Sequence, residues 1–104
     1  MAFDLVVGEN GRAKNSPVVG SIGYDELPII SRLLRRMDSF FLRQISDLFT
    51  DRVFSVEEIG QALQQLLPLL AHECEADERT LLYKLIAVLA YAKAKGEYLY
   101  GIAD

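Results

Sequence analysis

The densest group of chemistry-bearing residues is His72-Glu73-Cys74-Glu75. A zinc helix of the HExxH type would need a second histidine at position 76, where Ala76 stands, and the chain holds one histidine and one cysteine in all. Zinc sites draw three or four ligands from His, Cys and acids, so this supply is poor. His72 reads better as a helix-end residue beside unsatisfied carbonyls. Cys74 and His72, two positions apart, would point to different faces of a helix. The flanking acids also disfavour the thiolate that a nucleophile needs. Cys74 is therefore expected to be structural or incidental.

The acid pairs Asp25/Glu26, Glu57/Glu58 and Asp77/Glu78 could supply acid–base chemistry. All three fall where helices are expected to start, and the helix dipole accounts for them there. No GxSxG motif is present. Gly8, Gly11, Gly20 and Gly23 make neither GxGxxG nor a loop ending in GK[ST], so they read as turn glycines and not as a phosphate cradle. The expectation is a non-enzymatic protein with no catalytic residue, cofactor or metal.

Surface is what remains. Tyr98 and Tyr100 in the tail, joined by Tyr91, are contact candidates, because tyrosine combines a large apolar area with a polar tip. The acidic segment carrying Glu73, Glu75, Asp77 and Glu78 is a second candidate, suited to a basic partner; the plainer reading is a solvated connector. Arg32, Arg35, Arg36 and Arg43 lie away from the apolar stripe of their helix. They could meet phosphate or an acidic partner, or simply be a solvated face. No aromatic residue interleaves with them, which weakens a single-stranded nucleic-acid reading.

Elements must position these residues. The chain has 104 residues, about half of them hydrophobic and a quarter charged, which suits one globular core. Phe3-Asp4-Leu5-Val6-Val7 and Val18-Val19-Gly20-Ser21-Ile22 read as strands of an antiparallel hairpin joined by the turn-rich Gly8–Pro17 segment. Ile30, Leu34, Met37, Phe41, Ile45 and Leu48 recur at helical steps, which predicts one long helix from Pro28 to Phe49; Leu33, Phe40 and Phe49 widen its covered face. Thr50-Asp51-Arg52 reads as a connector. Ser55 and Glu58 form a capping box for a second helix, which Pro68 should kink or end. A last helix, about Asp77 to Lys95, is apolar round most of its circumference, leaving a polar strip of Thr80, Lys84, Tyr91 and Lys95; such a helix should sit centrally. Gly96 is its expected C-terminal stop.

The fold class expected is mainly α or α+β. It comprises a three-helix core (24–96) behind an N-terminal β-hairpin (1–23), with an aromatic tail (97–104) that forms a short strand or packs as an extended segment. All of it belongs to a single domain spanning 1–104.

Net charge is −4, against the cation excess a nucleic-acid binder normally shows. The start of the chain lacks a basic then apolar leader, and no stretch approaches the roughly 20 apolar residues of a membrane helix. With one cysteine, these features point to the cytoplasm and to no membrane contact. The FDLVVG-to-SIGY opening followed by helices, with the small size and acidic charge, resembles the small immunity proteins that bacteria pair with toxins. The resemblance implies a cytoplasmic protein that inhibits a cognate toxin by covering its surface. The apolar load of the Ile30–Phe49 and Leu81–Leu89 stripes also admits a homodimer.

Overall fold

The computed structural model describes residues 2–9 and 16–103. The elements are β1 (Ala2–Gly8), β2 (Val18–Gly23), α1 (Leu27–Arg36), α2 (Phe40–Ile45), β3 (Arg52–Phe54), α3 (Val56–Leu66), α4 (Ala76–Lys95) and β4 (Tyr98–Ala103). One 3₁₀ turn, Tyr24–Glu26, precedes α1 and another, Leu67–Ala71, follows α3. The strands form one antiparallel sheet ordered β2-β1-β4-β3. The molecule is therefore α+β with four helices among the described residues, and not a three-helix bundle with an appended hairpin.

The expected hairpin is present: Phe3 faces Ile22 and Leu5 faces Gly20, with an irregularity between Leu5 and Val6. Residues 10–15 of the Gly8–Pro17 connector lie outside the described residues. The aromatic tail resolves into β4, which pairs with β1 along six positions from Phe3↔Ala103 to Gly8↔Tyr98. Alternation then sorts the side chains. Phe3, Leu5, Val7, Ile22, Phe54 and Leu99 turn to one face and join Ile30, Leu33, Leu85 and Leu89 in a single continuous core. Tyr98, Tyr100, Ile102, Val53 and Val18 belong to the other face. Gly101 is required where it stands, because a Cβ there would overlap the ring of Phe3.

The expected long helix is broken. α1 ends at Arg36, and both Met37 (φ −151°, ψ 128°) and Ser39 (φ −136°, ψ 122°) are extended. Ser39 restarts the chain as the N-cap of α2, its Oγ accepting from Leu42 N at 3.3 Å. A serine side chain offers the backbone this alternative to continuing a helix. The break reorients the stripe so that Leu33 and Phe41, Leu42 and Ile45 all reach the core. Phe49, expected on that covered face, is instead 73% exposed. The connector after it contains β3, an edge strand of three residues paired with β4.

The other punctuation matches expectation. Ser55 Oγ accepts from Glu58 N at 3.2 Å and Glu58 Oε1 accepts from Ser55 N at 2.9 Å. α3 stops at Leu66 and the chain passes through Pro68 in a 3₁₀ turn. Gly96 (φ 67°) closes α4 in the left-handed region, where glycine carries no Cβ penalty. α4 buries Leu81, Leu82, Leu85, Val88, Leu89 and Ala92, yet exposes Tyr83 and Tyr91, so it is covered on one side and not on most. No helix among the described residues is long and apolar enough to cross a membrane.

Candidate protein-interaction surface

The turn between α2 and β3 presents the most exposed large apolar side chain among the described residues, Phe49. Leu48 beside it is buried and anchors the turn to the core. Asp47 shapes the turn: its Oδ1 accepts from Phe49 N at 3.0 Å and its Oδ2 from Arg52 Nη2 at 3.3 Å. The Phe49 amide foremost, then the Thr50 hydroxyl and the Arg52 charge, hold the Asp47 carboxyl below the usual carboxylate range. Asp51 ties the far end to the sheet, its Oδ1 accepting from Ala103 N at 2.7 Å.

The Phe49 ring lies 5.6 Å from that of Tyr24, tilted by 31°, a separation normal for attractive aromatic pairs. Tyr24 sits on the turn after β2, which is itself fastened. Gly23 N donates to Glu26 Oε1 at 3.1 Å, and Lys84 reaches both Glu26 oxygens at 2.7 Å and the Ser21 carbonyl at 2.8 Å. Two clamped turns thus hold an exposed aromatic pair. Asp25 and Asp51 on the same turns are exposed, whereas Arg52 is engaged by Asp47. The tip is apolar at its centre and negative around it.

The structure separates the residues singled out from the sequence. Tyr98 and Tyr100 share the outer sheet face with rings 6.4 Å apart and stacked, and the Tyr100 hydroxyl donates to the Glu9 carbonyl at 2.9 Å. Val53 faces Tyr100 from β3 and is exposed. Tyr91 lies elsewhere, on α4, with Lys95 Nζ 5.9 Å from its ring centre.

The acidic segment does not form one contact surface. Glu78 is 1% exposed; its Oε1 accepts from Glu75 N at 3.0 Å and lies 3.0 Å from Arg36 Nη2, while Oε2 lies 3.7 Å from Arg32 Nε. At that last distance the contact is an ion pair without a hydrogen bond, so Oε2 is incompletely satisfied. Asp77 pairs with Arg32, and the hydrogen bond between them foremost lowers the Asp77 pKa and raises that of Arg32. Asp77 and Glu78 therefore fasten α4 to α1; Asp77 stays half-exposed while engaged by Arg32, and Glu73 and Glu75 are exposed. Burial of the apolar helix forces this, because the first turn of α4 enters the protein against a helix carrying two arginines.

The same contacts dissolve the expected arginine face. Arg32 and Arg36 are engaged, Arg36 also donating to the Glu73 carbonyl at 3.0 Å, and Arg43 stands on a different helix, 3.2 Å from Asp38. Cys74 Sγ donates to the Leu69 carbonyl at 3.3 Å. His72 borders a cavity of about 360 Å³ lined by Arg36, Met37, Pro68, Leu69 and Glu73.

Phe49, Tyr24 and Asp51 were not singled out from the sequence. The usable signal was Asp47 two residues before Phe49, an acid placed to cap its own turn. Comparison of the chain with family models, with curated proteins and with solved structures finds no match.

Proposed function

We propose that this protein is a non-enzymatic binding module that docks a basic protein partner, in the manner of a cytoplasmic immunity-type inhibitor covering a bacterial toxin. The observation that carries the reading is Phe49: a phenylalanine 73% exposed on a turn fixed by Asp47 and Asp51. Ordered aromatic side chains are what interfaces use as anchors, since little conformational freedom is lost on binding. The surrounding carboxylates of Asp25 and Asp51 and the net charge of −4 favour encounter with a cationic surface. On the outer sheet face, Ile102 and Val53 extend the contact from the Asp51–Ala103 end, and Tyr100 and Tyr98 lie further along β4. Glu73 and Glu75 are left as peripheral charge.

Co-expression with the product of the neighbouring reading frame tests this. The reading expects a complex that survives purification and relief of any toxicity of that product, both lost in Phe49→Arg. Absence of complex and of relief with the unaltered protein rejects it.

A further inference from the structure

The side of α4 that the core leaves uncovered has a regular composition. Ala76, Thr80, Tyr83, Ala87, Ala90 and Ala94 are all exposed, and their spacing is four, three, four, three, four. That mean step of 3.5 is the repeat along which two helices pack through a common seam. Tyr83 is 55% exposed and Tyr91, on the flank of this seam, is 46% exposed.

We propose that this face pairs with its counterpart on a second copy of the chain, the two α4 helices running antiparallel about a twofold axis level with Leu85. Reversal about that point returns the seam to itself. Ala76 comes opposite Ala94, Thr80 opposite Ala90, and Tyr83 opposite Ala87. Each contact sets a residue against a small one, which lets the helices approach and gives the Tyr83 ring room. A parallel pairing would instead drive Tyr83 onto Tyr83.

Charge selects the same arrangement. Glu75 and Asp77 lie at the start of α4, and Lys93 and Lys95 at its end. At about 100° per residue, Asp77 and Lys95 fall on one flank of the seam and Glu75 and Lys93 on the other. Flanks of like position meet in an antiparallel pair, so the exposed Glu75 comes near the exposed Lys93 of the second copy, while Asp77 keeps Arg32 of its own chain. The helix dipoles also oppose. A seam about 30 Å long and about 10 Å wide, one helix diameter, covers about 300 Å², less than the roughly 800 Å² each partner gives to a stable interface. The dimer is therefore weak and concentration-dependent.

Sedimentation velocity from about 5 to 500 µM reads this directly. The expected result is a shift from monomer to dimer mass across the range. Ala87→Glu, at an exposed position, should keep the far-UV circular dichroism of the parent and raise the dimer dissociation constant roughly tenfold or more. In a Cys74→Ser background, Thr80→Cys combined with Ala90→Cys should oxidise to a covalent dimer, and Thr80→Cys alone should not. A monomer at every concentration overturns the proposal. So does a dimer indifferent to Ala87→Glu, or cross-linking by Thr80→Cys alone. This surface is separate from Phe49, so the two proposals fail independently.

Discussion

Replacing Glu78 tests whether the acidic start of α4 is a fastening or a contact surface. Its Oε1 receives the Glu75 amide, a capping interaction of about 1 kcal/mol. The same oxygen receives Arg36, a charged contact of about 1.5–3 kcal/mol when sheltered. Arg36 is 40% exposed, so water screens that contact and a value near the lower end applies. Glu78→Ala should then destabilise the fold by about 2–3 kcal/mol, or roughly 10–20 °C in Tm for a chain this short. Glu78→Gln keeps an acceptor for the amide and loses only the charge, so about half that cost is expected. Glu73→Ala, in the same acidic run but with an exposed carboxylate, should stay within about 0.5 kcal/mol. Urea unfolding followed at 222 nm measures all three. Refutation would be Glu78→Ala and Glu73→Ala giving the same small change, with the fold indifferent to both.

Gly101→Ala should cost about 1–2 kcal/mol: overpacking against the Phe3 ring costs about 1–3, partly offset by the lower chain entropy of alanine. Phe3→Leu in the same chain should relieve part of the loss, and simple additivity in a double-mutant cycle would contradict the close contact. Acid should weaken the fold through Asp47 and Asp77. Their folded pKa values lie below the ordinary one, so their contribution is present above the unfolded pKa and is lost as pH falls through the folded values. Thermal melts from about pH 7 to pH 2 should show this decline, and it should flatten in a variant carrying Asp47→Asn and Asp77→Asn; an unchanged decline in that variant would exclude the assignment.

Local signals carried much of the architecture. The Ser55–Glu58 box, the stop at Gly96, the interruption at Pro68 and the Phe3–Ile22 hairpin each depend on a few neighbouring residues, and each is where the sequence places it. Failures came where distant partners decide. The stripe from Ile30 to Leu48 is periodic right through Asp38-Ser39, and only the need to turn Leu33 and Phe41 towards one core reveals the break. β3 is three residues long and exists because β4 offers it an edge, which no periodicity within Arg52–Phe54 can report. The candidate site was legible in kind and not in place. Aromatic and acidic surface was expected, but Tyr98 and Tyr100 lie apart from Tyr91, and Glu78 faces inward on Arg32 and Arg36. Phe49 looked like core because its spacing continued a helix that had already ended.

The most direct test of the binding reading is affinity for the neighbouring gene product with and without the Phe49 side chain, measured by calorimetry at physiological salt. Phe49→Ala should weaken binding by about 2 kcal/mol or more, some thirtyfold, while lowering fold stability by no more than about 1 kcal/mol, the scale of its exposed ring pair with Tyr24. Equal affinity of Phe49→Ala and the parent would contradict the account.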